Sequence, residues 1–160
     1  MERSARAAGV DDLKKVLHAL NEQGVEYVLI GGYALLAFGY QRATTDIDLL
    51  LPRSRENGER VKRALLALPD GVAKDIDLAW FDEDETIRVA DEFVVDLLFN
   101  ACGETMESLR PHVVTLDFEG VPLRTLDVEG LLKTKQSPRE KDRLDRGVLE
   151  RALAASKDRR

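Results

Sequence analysis

Cysteine and histidine are scarce in this sequence. Among its 160 residues there are one cysteine, Cys102, and two histidines, His18 and His112. A lone cysteine cannot form an intramolecular disulfide, and so small a set of thiols and imidazoles excludes a zinc site of the Cys/His kind. A metal ion bound by this chain would therefore be a hard cation held by oxygen ligands.

Long apolar runs are absent as well. No stretch reaches the roughly 18 to 20 uninterrupted apolar residues of a membrane span, and the opening residues, MERSARAAGVDDLKK, lack the apolar centre of a secretion signal. We therefore expect no membrane association and a cytoplasmic location. The length and an apolar content of 44% favour a single domain over residues 1–160, with its core at about 11–145 and a basic C-terminal helix at about 138–157.

Charge is unevenly distributed along the chain. The formal net charge is −6, yet residues 133–160 contain ten Lys or Arg against five Asp or Glu, so the rest of the chain carries −11. Such a basic segment is ordinarily a solvated helix of mixed charge, and the alternative is a cationic wall that faces an anionic substrate. Composition alone favours the first interpretation. The acidic remainder argues against a broad nucleic-acid-binding surface.

Apolar periodicity and turn residues predict alternating helices and strands. Helices are expected at about 11–24, 33–39, 59–68 and 104–109, after Asp127 and after Ser137-Pro138. Strands are expected at about 25–30, 46–51, 74–81 and 93–99, and in a hairpin that turns at Glu119-Gly120. The sum is an α/β (α+β) fold: a mixed β-sheet flanked by helices, with a helical C-terminal end.

Two aspartates interrupt the apolar strand expected at 46–51. Because side chains alternate across a strand, Asp46 and Asp48 lie on one face, about 7 Å apart, with Ile47 on the other. Like charges at this spacing repel each other unless a cation lies between them, and Mg²⁺ prefers carboxylate and phosphate oxygens. A solvent-facing edge strand explains the same pattern and is the better interpretation of the pattern taken alone.

The glycine pair upstream favours a metal and phosphate site over a solvent-facing edge strand. Gly31-Gly32 follows a strand and opens a helix, where backbone N–H groups can hold phosphate. The order Gly31-Gly32, thirteen residues and then Asp-Ile-Asp-Leu resembles the signature of the polymerase-β-type nucleotidyltransferase superfamily. No Gly-x-x-x-x-Gly-Lys-Ser/Thr, Gly-x-Gly-x-x-Gly or Gly-x-Ser-x-Gly sequence competes with it.

Two further segments resemble a small bacterial branch of that superfamily. The segment RATTDID at 42–48 is similar to the Arg-x-Thr-x-Asp-x-Asp form of members related to the AbiEii-type toxins. The tail resembles the Lys-rich ending of the same proteins through Lys133, Lys135, Arg139, Lys141, Asp142 and Asp145. The resemblance therefore covers about residues 25–145 and implies a nucleotidyltransferase fold.

The superfamily also requires a third carboxylate on a strand beside the Asp-x-Asp strand. Asp96 is one candidate, and Asp75 or Asp77, in a second Asp-Ile-Asp sequence, is the other. We favour Asp96, because it interrupts a strongly apolar run in which an unpaired buried carboxylate would be costly. Asp77 lies near the acidic segment 82–85 and can simply face solvent.

The resemblance implies a role for each matching residue. Asp46, Asp48 and Asp96 would be the catalytic residues and the ligands of a two-metal Mg²⁺ site, and Asp96 would help to activate the acceptor hydroxyl. The nucleoside triphosphate (NTP) would be bound by a set of backbone and polar groups, namely Gly31, Gly32, Arg42, Thr45, Lys133 and Lys141. The lysines have an ordinary alternative as exposed residues of a helix.

The implied activity is the transfer of a nucleoside monophosphate from an NTP such as ATP to a hydroxyl acceptor. The chain leaves little room for a large helical acceptor-binding domain, so we expect a compact enzyme that acts on RNA, such as tRNA, or on protein, with a cognate toxin or antitoxin as partner. The alternative is a catalytically idle member of the same fold that acts as a binding or regulatory protein, as an antitoxin does. The sequence leaves the acceptor and the oligomeric state open.

Overall fold

The computed structural model describes residues 5–40 and 43–158, which form six strands and six α-helices. The strands are β1 (Val28–Ile30), β2 (Ile47–Leu50), β3 (Ile87–Ala90), β4 (Val94–Leu98), β5 (Val113–Phe118) and β6 (Val121–Leu126). The helices are α1 (Val10–Glu22), α2 (Gly32–Ala37), α3 (Arg55–Leu65), α4 (Met106–Leu109), α5 (Val128–Lys133) and α6 (Glu140–Asp158). Three short 3₁₀ helices lie at Val72–Asp75, Leu78–Asp82 and Arg110–His112.

All six strands belong to one mixed sheet. Their order is β3-β4-β2-β1-β6-β5. The pairs β2–β4 and β1–β6 are parallel, and the other three pairs are antiparallel. The expected α+β fold, with a mixed sheet, flanking helices and a helical C-terminal end, is confirmed. In the described part of the chain, no helix is both long and apolar enough to cross a bilayer.

Helix α1 supplies an apolar stripe to the core, as its periodicity predicts. Leu13, Leu17 and Leu20 are fully buried, which is the arrangement that an i, i+4, i+7 spacing produces on one helix face. The Asp12 carboxylate accepts a hydrogen bond from the backbone N–H of Gly9 and stabilises the first turn. The chain leaves the helix at Gly24, whose φ of +67° suits glycine.

The predicted strand at 74–81 is wrong. This segment contains two 3₁₀ helices, and the Asp77 carboxylate accepts a hydrogen bond from the backbone N–H of Ala79 at 2.9 Å. Such local side-chain to backbone bonding competes with strand pairing. The strand that follows in the chain is instead β3, where Ile87 and Val89 are buried and Arg88 is exposed.

Smaller corrections concern element boundaries. Helix α3 begins at Arg55, four residues before the expected Glu59, because the Ser54 hydroxyl accepts a hydrogen bond from the backbone N–H of Asn57. Strand β1 begins at Val28 rather than at residue 25. The hairpin at Glu119-Gly120 and the helix cap at Asp127 are confirmed.

Candidate active site

Strands β2 and β4 bring the three expected acids together. Asp48 lies within β2, Asp46 directly precedes that strand, and Asp96 lies within β4. The parallel register sets Asp48 directly beside Asp96. Because neighbours in register point to the same face of a sheet, all three carboxylates lie on one side, where they line a single cavity.

That cavity has a volume of about 780 Å³, which suits a nucleotide-sized ligand. The sheet and the segments next to it contribute the three aspartates together with Arg88, Gly31, Gly32 and Thr45. The C-terminal part of the chain contributes Lys135 and Arg139 and, from the first turns of α6, Lys141, Leu144 and a fourth aspartate, Asp145. Carboxylates and cations therefore line the same cavity.

Gly31 lies where a side chain cannot be accommodated. Its φ is +77°, a conformation that favours glycine, and a Cβ atom built on it would collide with the Asp48 carboxylate. The strand-to-helix turn between β1 and α2 thus brings the backbone of Gly31 close to the Asp48 carboxylate. This close approach explains why glycine, rather than any larger residue, precedes α2.

Burial and mutual repulsion disfavour the ionised form of Asp48. Its pKa is raised to about 6, first by burial and then by the charges of Asp96 and Asp46, although Lys135 and Arg139 oppose the effect. Among residues 5–40 and 43–158, no hydrogen bond or ion pair reaches the Asp48 carboxylate. Asp48 therefore differs from Asp46 and Asp96, whose carboxylates are in contact with Arg88.

Arg88 was not anticipated from the sequence. It lies on β3 opposite Asp96 of β4, and its guanidinium bridges two acids. Nη2 is 2.8 Å from Asp46 Oδ2, and Nε is 3.3 Å from Asp96 Oδ1. Burial raises the pKa of Asp96, Arg88 counteracts that rise, and the charge of Asp46 adds to it. The alternating pattern of β3 signals a strand, and only the pairing of β3 with β4 places Arg88 beside the acids.

Lys135 belongs to the lysine-rich ending but is not among the nucleotide-binding residues expected from the sequence. It is 5% exposed, and its Nζ is 2.9 Å from Asp145 Oδ2 and 3.7 Å from Asp142 Oδ1. It lines the cavity, whereas Lys133 is exposed and is not one of the lining residues. Lys141 lines the cavity as expected. A lone lysine inside a charged segment gives no sequence signal of burial, which here depends on the packing of α5 against α6.

The other residues expected at the site fall into two groups. Gly31, Gly32 and Thr45 line the cavity, whereas Asp75 and Asp77 do not. Arg42 lies outside the described residues.

The donor chemistry of this cavity suits a divalent cation. Asp46, Asp48 and Asp96 offer carboxylate oxygens, which are the ligands that Mg²⁺ prefers. Within residues 5–40 and 43–158, no three acidic, histidine or cysteine side chains converge closely enough to hold a metal ion as they stand. In this arrangement the Arg88 guanidinium contacts both Asp46 and Asp96.

Comparison with known proteins gives a family assignment. No curated protein matches the chain. Residues 9–146, which include the glycine pair, all three cavity acids and the first turns of α6, match a family described as "Nucleotidyl transferase of unknown function (DUF2204)". This match spans well over half of the chain, and the protein belongs to that family of nucleotidyl transferases.

Proposed function

We propose that the protein is a Mg²⁺-dependent nucleotidyltransferase that moves a nucleoside monophosphate from an NTP to a hydroxyl acceptor. The observation that carries this proposal is the cavity that Asp46, Asp48 and Asp96 line together with Lys135 and Arg139. The carboxylates can hold metal, and the cationic side chains can hold the triphosphate that the metal accompanies. The family description supports the same reaction class.

The acids and the glycines of the cavity have distinct parts in the proposed reaction. Asp46 and Asp48 would hold the cation that accompanies the triphosphate, and Asp96 would hold a second cation with Asp46 and Asp48. Bound Mg²⁺ supplies positive charge to the oxygens on which negative charge develops during phosphoryl transfer. The backbone at Gly31 and Gly32 would lie against the phosphates, because glycine there leaves room for them.

The proposed transfer step is a displacement at the α-phosphorus. The acceptor oxygen forms the new P–O bond, the bond from the α-phosphorus to the bridging oxygen breaks, and pyrophosphate leaves. Asp96 would accept the proton of the acceptor hydroxyl, as the resemblance to the superfamily implies. Lys141 and Arg139 would offset the charge of the departing pyrophosphate, and Arg42 would add to them.

The acceptor is proposed from the resemblance to AbiEii-related proteins. It supports RNA, such as tRNA, or a protein as acceptor, within a cytoplasmic toxin–antitoxin pair. The net charge of −6 does not favour an extended nucleic-acid interface. Contact with RNA would therefore involve the cationic residues that line the cavity, such as Arg139 and Lys141.

Labelled NTPs test the reaction directly. The protein is incubated with each α-labelled NTP, Mg²⁺ and either total tRNA or total protein, alongside the double variant Asp46→Asn/Asp48→Asn. We expect label to be transferred by the wild type and not by the variant. Equal labelling by both proteins would contradict the assignment of the acids.

A catalytically idle, regulatory protein is the second candidate. The observation that favours it is the Arg88 guanidinium, which occupies Asp46 and Asp96 with contacts of 2.8 and 3.3 Å. An idle protein would transfer no label under any condition but would still bind NTP. Retained NTP binding in the Asp46→Asn/Asp48→Asn variant, together with a silent wild type, would support this candidate.

A further inference from the structure

We propose that Arg88 is a built-in counter-cation of the acid cluster, displaced from Asp46 and Asp96 when a divalent cation binds. This inference rests on the proposed function, because it assumes that the acids bind metal. It assigns to Arg88 a role that the family description does not include. Arg88 is a positioning residue in this scheme, since it acts on the metal through the two carboxylates.

The position of the guanidinium is the first argument. Its two contacts use different nitrogens, Nη2 for Asp46 and Nε for Asp96, so one planar group spans both acids. A cation that bound Asp46 through Oδ2 and Asp96 through Oδ1 would take the oxygens that now contact Arg88. Its positive charge would also repel the guanidinium. Arginine and metal would therefore compete for these two residues.

The exposure of Arg88 makes the exchange feasible. Its side chain is 60% exposed, whereas that of Asp96 is 17% exposed. An exposed ion pair is weak, because water screens it and holding the side chain in place costs entropy. Two such contacts hold the guanidinium well enough to compensate the acids in the absence of metal, and weakly enough for a divalent ion to replace it.

A second cavity can receive the displaced side chain. Arg88 and Thr86 line both the main cavity and a neighbouring one of about 250 Å³. The other residues of the second cavity include Trp80, Glu83 and Glu85. Carboxylates and an indole face are the groups that attract a guanidinium. The side chain can thus turn from one set of partners to another without leaving the protein surface.

Metal binding without nucleotide tests the exchange. The Mn²⁺ affinity of the metal-free protein is measured by electron paramagnetic resonance at pH 8 for the wild type, Arg88→Gln and Arg88→Lys. Removal of two competing exposed contacts should tighten Mn²⁺ binding about fivefold in Arg88→Gln, which is equivalent to about 1 kcal/mol. Arg88→Lys should give an intermediate affinity, because an ammonium is a point charge and cannot span both acids.

Arg55 provides a matched control. Its side chain is 61% exposed and its Nε lies 2.6 Å from Asp82, away from the residues that line the main cavity. Arg55→Gln removes the same charge from a similar exposed ion pair. It should leave the Mn²⁺ affinity unchanged, which separates direct competition from a general change in net charge.

The only tryptophan of the chain reports the movement itself. Mg²⁺ added to the wild type should change the fluorescence of Trp80 as the guanidinium enters the second cavity, and Arg88→Gln should abolish that change. Unchanged or weaker Mn²⁺ binding in Arg88→Gln would overturn the inference and leave the proposed function standing. Failure of the wild type and of Arg88→Gln alike to bind Mn²⁺ at millimolar concentration would overturn both.

Discussion

Asp48→Asn should make the metal-free protein more stable. The wild-type carboxylate has a pKa of about 6 in the folded chain against an ordinary value of 3.8, so its ionised form is disfavoured by folding. A difference of about two pKa units corresponds to about 3 kcal/mol, at 1.36 kcal/mol for each unit. Asparagine has nearly the same shape and no charge, and the substitution removes no hydrogen bond or ion pair to a described residue.

The gain should depend on pH in a defined way. The unfolded chain releases the Asp48 proton near pH 3.8 and the folded chain near pH 6. The contribution of Asp48 to stability is therefore neutral below about pH 4, becomes unfavourable as the pH rises through this window and is fully unfavourable above about pH 7. The Asp48→Asn variant has no carboxyl group at this position and does not lose this stability. The difference in the free energy of unfolding between variant and wild type should therefore grow from pH 4 to pH 7.

Urea denaturation in EDTA at pH 4.5 and 7.5 measures both effects. We expect Asp48→Asn to exceed the wild type by about 2–3 kcal/mol at pH 7.5 and by much less at pH 4.5. Asp46→Asn is the matched control, because it loses the 2.8 Å contact to Arg88 and should cost about 0–1 kcal/mol. Equal stability of Asp48→Asn and wild type at pH 7.5 would refute the reasoning that burial and the neighbouring acids disfavour the ionised form of Asp48.

Other predictions concern the backbone and the buried lysine. Gly31→Ala should destabilise the fold by about 2–4 kcal/mol in urea denaturation, since a Cβ there meets the Asp48 carboxylate. Gly120→Ala is the control, because Gly120 has a φ of +89° and open space around it. It should cost only about 1 kcal/mol. A loss at Gly31 no larger than at Gly120 would contradict the close approach. Lys135→Ala should cost about 3 kcal/mol, because it removes the ammonium from two buried aspartates of α6. Lys133→Ala should change the free energy of unfolding by less than about 0.5 kcal/mol, and an equal effect of the two lysines would show that Lys135 is not the buried partner.

The acids of the site could be predicted because they conflict with their surroundings. Asp48 and Asp96 interrupt runs of buried residues in β2 and β4, and a charge in such a run requires a reason. The glycines at 31–32 were predictable for a similar reason, since they break a strand at the point where a helix begins. Residues that do not fit the pattern of their sequence neighbours can be recognised without knowledge of the fold.

The residues that were missed have no such conflict. Arg88 occupies an exposed position of a four-residue edge strand, which is an ordinary place for arginine. Its contact with Asp46 joins positions 42 residues apart, and only the order of the strands reveals it. Likewise, periodicity does not distinguish Lys135 from Lys133, because the packing of α5 and α6 decides which lysine is buried.

A crystal structure with Mn²⁺ and a non-hydrolysable NTP analogue tests the central claim most directly. The account predicts anomalous Mn²⁺ density bonded to Asp46 and Asp48, triphosphate oxygens beside Gly31-Gly32, and Arg88 turned away from both of its acids. Nucleotide bound elsewhere, or Arg88 still in contact with Asp46 and Asp96 beside bound nucleotide, would contradict the assignment of this cavity as the site of nucleotidyl transfer.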